Sequence, residues 1–111
     1  MFQARQGDVF IQQIEGAIPA NTKRVKPDNG RTILAYGEVT GHAHALPKRA
    51  QLFRMEAEPN SGVSAPAYLV IDGLPATLKH EEHAPIELPP GKYKVTIQRE
   101  YSPEEIRNVQ D

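Results

Sequence analysis

Residues 89–101 read PPGKYKVTIQREY, and this stretch decides the fold class. Tyr93, Val95, Ile97 and Tyr101 fall on one parity; Lys92, Lys94, Thr96, Gln98 and Glu100 fall on the other. That is the period-2 alternation of a strand with one buried face, so a strand is predicted over Lys92–Tyr101. Pro89-Pro90-Gly91 has the form of a type II turn, with Pro90 at its second position and Gly91 supplying the positive φ at its third. Ile86-Glu87-Leu88 then becomes the preceding strand of a hairpin.

Working outward, Asp8–Ile14, Arg31–Val39, Gln51–Ala57, Ala67–Ile71 and Thr77–Lys79 read as further strands. Asp28-Asn29-Gly30, residues 58–62 and Asp72-Gly73 punctuate them as turns. The basic stretch Thr22-Lys23-Arg24-Val25-Lys26 suits a solvated loop or an edge. Ser102-Pro103-Glu104-Glu105 has an N-cap, a proline at the first helical position and a capping-box Glu, which predicts one short helix to about Val109. There is no repeat, linker or shift in composition, so residues 1–111 form one domain. The expected fold is all-β, a single small β-barrel or sandwich with a short C-terminal helix.

Composition narrows the function. Ten prolines and eight glycines in 111 residues exclude a helical bundle. Thirteen Lys plus Arg against 14 Asp plus Glu give a formal net charge of -1. That balance does not indicate a nucleic-acid binder, although it leaves room for a local basic patch. With no cysteine, a disulfide scaffold, a thiolate zinc site, an iron–sulfur cluster and a cysteine nucleophile are all excluded. The start MFQARQGD has no apolar core of a signal peptide, and the longest apolar run, Ala67 to Ile71, is far too short to span a bilayer. The expectation is a soluble cytoplasmic protein with no membrane partner.

All four histidines fall in two pairs, Gly41-His42-Ala43-His44 and His80-Glu81-Glu82-His83. Random placement gives such double pairing about once in a hundred arrangements, so the clustering calls for a cause. On a strand, residues i and i+2 share a face, which projects His42 and His44 together. On a helical turn or tight loop, i and i+3 are neighbours, which lets His80 and His83 converge. Neutral imidazole is the commonest protein ligand for Zn, Fe, Ni and Cu, and two such pairs can close a three- or four-nitrogen shell. Glu81, Glu82 and Glu38 are near enough in sequence to add a carboxylate ligand or an outer hydrogen-bond acceptor. The bland reading is that the HEEH tetrapeptide is an exposed polar loop before Pro85. Paired imidazoles, one acid and one base, also suffice for metal-free phosphodiester chemistry.

Other residues carry less. Arg99 lies on the apolar parity of the last strand, where an unpaired charge is costly, so an ion pair is expected, with an anionic substrate group as the alternative partner. Lys48-Arg49 reads as solvated surface, or as a contact for phosphate or carboxylate. Gly37 and Gly41 bracket the first histidine pair and mark a bend or bulge. Neither phosphate-binding glycine loop occurs, and HEEH is not the HExxH of zinc proteases.

A glycine, a spacer and His-x-His on a β-rich chain are similar to the first motif of the cupins, which hold a metal inside a small β-barrel. The resemblance implies a cupin-like architecture. The chain departs from the pattern in the spacing from Gly37 to His42, in lacking a Glu shortly after His44, and in placing His80 and His83 before Pro90-Gly91. GEVTGHAHAL with HEEHAPIELPPGKYKV and QREY also resembles a small group of uncharacterised bacterial proteins, over about half the chain, which implies no activity.

These residues together predict a metal-binding protein, with His42, His44, His80 and His83 as ligands of Zn²⁺, Fe²⁺ or Mn²⁺. If three histidines hold the ion, a position stays open for water or substrate. Glu81 or Glu82 would then be general base or carboxylate ligand, and Arg99 or Arg49 would steer a small anionic or phosphorylated substrate. A non-enzymatic accessory module with a structural or regulatory metal, and a metal-free histidine nuclease or phosphodiesterase, are the alternatives.

Overall fold

A computed structural model describes residues 1–37, 41–55 and 66–97. Ten strands run in the order β1 (Gln3–Gln6), β2 (Val9–Ile14), β3 (Thr22–Arg24), β4 (Arg31–Tyr36), β5 (Ala43–Pro47), β6 (Gln51–Met55), β7 (Ala67–Ile71), β8 (Ala76–Leu78), β9 (Ile86–Leu88) and β10 (Gly91–Ile97). There is no helix among the described residues, and the C-terminal helix expected at residues 102–109 lies outside them.

Six strands form one antiparallel sheet in the order β1-β2-β10-β7-β6-β3. The hairpins β4-β5 and β8-β9 form the opposing layer. They are stitched together where Ala45 and Lys79 exchange both backbone hydrogen bonds, each 2.9 Å. The two layers face one another across a shared core. Val9, Ile11, Leu52, Leu69, Ile71, Tyr93 and Val95 enter it from the large sheet, and Leu34, Leu46, Ala76, Leu78 and Leu88 from the smaller layer. Full burial of each large apolar side chain stabilises the fold by roughly 1.5–3 kcal/mol. Two polar ties cross the same interior: Thr32 Oγ1 donates to Ala50 O at 2.7 Å, and the Arg54 guanidinium donates to Leu34 O at 2.9 Å. Among the described residues the hydrogen bonding does not close these layers into a barrel.

The alternation at residues 92–97 holds: Tyr93 and Val95 are buried, Lys92 is exposed, and Ile97 packs against the core. The expected hairpin does not. β9 pairs with β8, Ala76 facing Leu88 and Leu78 facing Ile86, and makes no ladder with β10. Two successive prolines have no N–H to continue a ladder, so residues 89–90 carry the chain from one layer to the other instead. Gly91 takes φ 152°, not the roughly +80° that a type II turn asks for, and a Cβ there would stand 2.9 Å from Gln13 Nε2. The basic stretch at residues 22–24 is the edge strand β3, paired to β6 only.

Candidate functional site

The bridge between Ala45 and Lys79 sets the site. Antiparallel register counted back along β5 and forward from β8 puts His44 opposite His80, Ala43 opposite Glu81 and His42 opposite Glu82. The contacts follow that register. The rings of His44 and His80 lie 4.3 Å apart, Ala43 N donates to Glu81 Oε1 at 2.8 Å, and His42 Nδ1 is 3.9 Å from Glu82 Oε2. The remaining imidazoles close the group, with ring centroids at 5.8 Å for His42 and His80, 4.7 Å for His80 and His83, and 5.9 Å for His44 and His83. All four predicted histidines therefore meet in one cleft at the end of the smaller layer.

Strand parity explains their burial. His44 shares its face with Leu46, and His80 shares its face with Leu78, so both rings turn toward the core side. His44 is 3% exposed, whereas His83 lies at the solvent edge. The segment 81–83 is a bend rather than a helical turn. On the other side, Gly37 N donates to His42 O at 2.8 Å. A Cβ at Gly37 would lie 2.9 Å from the His42 Cβ, so this approach needs glycine.

Three residues of the site come from the end of β1 and the β1–β2 turn, which the sequence reading missed. Gln6, 2% exposed, sends its amide Nε2 to Leu78 O at 3.1 Å and to Ala84 O at 3.0 Å. Both acceptors are carbonyls, so that atom must be the NH₂, and Gln6 Oε1 must be the acceptor facing His44 Nδ1 at 2.8 Å. His44 Nδ1 therefore carries the proton and Nε2 presents a lone pair. A hydrogen bond to the far ring nitrogen sets the tautomer of metal-binding histidines in this way. Asp8 Oδ1 lies 3.7 Å from His44 Nε2. Gly7 packs between the rings with φ 59°, where a Cβ would come within 2.8 Å of His83 Nε2 and 3.3 Å of His44 Cε1. The available signal was Gly7 between two polar residues, but nothing local tells which distant ring it covers.

Burial pushes the His44 pKa down to about 4, reinforced by His80, while Asp8 pulls the other way. The ring is neutral near pH 7. The hydrogen bond from Ala43 N holds the Glu81 carboxyl below its ordinary range, so it is ionised. Glu82 N donates to His80 Nδ1 at 3.0 Å, so Nδ1 is an acceptor and the ring's N–H is on Nε2. His42 Nδ1 is buried and has no hydrogen-bond partner. An unsatisfied buried acceptor or donor costs about 1–3 kcal/mol. His42, His80 and Glu81 each offer a ligand atom, all within 4.8 Å of one another, and could hold a metal ion.

Both glutamates are exposed: Glu81 belongs to the group that could ligate, and the Glu82 side chain, 63% exposed, reaches within 3.9 Å of His42 Nδ1. Arg49 is not at the cleft: its Nη1 donates to Leu74 O at 2.8 Å and its Nη2 to Pro75 O, across the outer side of the layer. Arg99 and Glu38 lie outside the described residues.

Fold and cleft together define a two-layer β domain with a histidine cleft at one end. The chain belongs to the family described as a domain of unknown function, DUF8820, whose model matches residues 5–98, and no cupin family matches. That span includes Gln6, Asp8 and every histidine. No curated protein and no solved structure matches the chain. No helix among the described residues is long and apolar enough to cross a membrane.

Proposed function

We propose that this protein binds a divalent transition metal in the histidine cleft, as Zn²⁺, Fe²⁺ or Mn²⁺, and uses it on a small anionic or phosphorylated substrate. The observation that carries the reading is the buried His42 Nδ1, which has no hydrogen-bond partner and only Glu82 Oε2 at 3.9 Å, beside His42, His80 and Glu81 ligand atoms that lie within 4.8 Å of one another. Imidazole nitrogen and carboxylate oxygen are the donors these metals take. The chain meets two further requirements. Ligand imidazoles must be neutral, and burial keeps His44 so. The carboxylate must be ionised, and the Ala43 amide keeps Glu81 so.

His44 Nε2, with its lone pair set by Gln6, is a further donor beside this group. His80 joins by exchanging the Glu82 amide at Nδ1 for the ion, or by moving its proton to Nδ1 and binding through Nε2. The exposed edge at His83 and Glu82 leaves an approach for substrate. A bound ion there would polarise a substrate oxygen or lower the pKa of water. Within this scheme Glu81 is a ligand, and Glu82 is the carboxylate placed to accept a proton. Metal content and phosphatase activity of Glu81→Gln and Glu82→Gln test the assignment side by side. Glu81→Gln should lose metal and activity together. Glu82→Gln should keep its metal and lose about 10²–10⁴-fold in turnover. Two variants that both keep full metal would remove the carboxylates from the site, and a wild-type protein that takes up no metal would leave the metal-free acid–base reading.

A further inference from the structure

A second site lies on the opposite face of the same strands. On β5 and β8, residues out of phase with His44 and Leu78 point away from the main core, and with Leu46, Arg49, Pro75 and Arg31 of β4 they line an open cavity of about 380 Å³. Arg31, Arg49 and Lys79 wall it, and Ala45, Pro47 and Pro75 contribute apolar surface. Its volume is at the low end of the range for small-molecule sites, roughly 300–1,000 Å³.

The charge around this cavity is one-sided. No carboxylate lines it. Asp28, bridged through its backbone to Arg31, accepts the Tyr36 hydroxyl instead. Glu87 stands opposite Thr77 in the β8–β9 register but does not line the cavity. Backbone carbonyls at Leu74 and Pro75 hold the Arg49 guanidinium at the rim, and carbonyls leave its net charge in place. Among the described residues, neither Arg31 nor Lys79 makes a side-chain hydrogen bond or ion pair. Three cations around a concave surface raise the local potential and concentrate anions. Beside the cavity, the small cluster of Ile33, Ala43 and Ala45 gives the same face an apolar character.

We propose that this outer cavity binds a small organic dianion bearing an apolar group, of which a phosphate monoester is the simplest kind. Arg31 and Lys79 supply uncommitted donors, Arg49 supplies a fixed charge, and the Ala45 and proline surface takes the apolar part. The site is separate from the histidine cleft, so its test does not depend on a metal.

The test is an amide NMR titration of chelator-treated protein with phenyl phosphate, with phenol as the uncharged probe. Expected are saturable shifts at Arg31, Arg49 and Thr77, and none with phenol. Arg31→Gln and Lys79→Gln should each weaken binding about tenfold, the loss of one charge-assisted hydrogen bond. Lys48→Gln, a neighbouring cation outside the lining, should leave affinity unchanged. The proposal is overturned by absence of saturable shifts, by shifts centred on His42 and His83 instead, by equal binding of phenol, or by Arg31→Gln and Lys79→Gln behaving like Lys48→Gln.

Discussion

Strands β5 and β8 show different chemistry on their two faces. The inner face carries His44 and His80 next to Leu46 and Leu78; the outer face carries Ala45 and Lys79 beside Arg31 and Arg49. Burial separates them. On the inner face it strips the proton from His44 and leaves a lone pair, which suits a cation. On the outer face Arg31, Arg49 and Lys79 keep both solvent and charge, which suits an anion. A shift of one residue in register would exchange these faces, so the Ala45–Lys79 bridge sets the position of both sites.

The largest test of that division is on stability. Leu78 is 0% exposed, and Leu78→Ala should cost about 2–5 kcal/mol in urea unfolding. Thr77→Ala, one residue along on the outer face, should stay within about 0.5 kcal/mol. Equal costs would mean that β8 does not present opposite faces to core and solvent.

Next comes Gln6, the residue that joins the β1–β2 turn to the inner face. Gln6→Ala removes the acceptor that sets the His44 tautomer, and should lower zinc affinity 10–100-fold in chelator competition. It also leaves Leu78 O and Ala84 O without their donor, which should cost about 1–3 kcal/mol of stability. Zinc affinity unchanged in this variant would separate His44 from the metal.

A smaller effect tests the charge state of the inner face directly. His44 titrates near 4 when folded and near 6.5 when unfolded, so between those values the unfolded chain binds the extra proton. Its contribution to stability is complete above pH 6.5 and is lost progressively as pH falls toward 4. Urea midpoints of metal-free protein across that window should decline, and His44→Gln should flatten the decline. A wild-type profile no steeper than that of His44→Gln would place a charged ring in the cleft.

The two faces were not equally legible in the sequence. Period-2 alternation is local, so Tyr93, Val95 and the span Ala67–Ile71 read correctly as strand without knowledge of their partners. Pairing is not local: Ile86-Glu87-Leu88 adjoins β10 in sequence, but its ladder is with β8. The histidine clustering survives because it depends on short spacing, and a single bridge between positions 45 and 79 then brings the two pairs together. Gln6 and Asp8 reach the histidines from more than 30 residues away in sequence, and Gly7 between them does not tell which distant ring they meet. Arg49, a candidate for steering substrate or for solvated surface, lies in the turn after β5, where strand parity no longer applies, and its guanidinium donates to Leu74 O and Pro75 O on the outer side.

The most direct measurement of the central claim is a zinc titration followed through the ring-nitrogen resonances of the histidines. The account predicts large shifts at His42 and His80, with a change at His44 Nε2, complete at one zinc per chain, and a loss of binding as pH drops below about 6.5 and protons compete for the same lone pairs. Histidine resonances that stay in place at stoichiometric zinc, or an affinity that is flat between pH 7.5 and 5 (values that straddle the imidazole pKa), would contradict it.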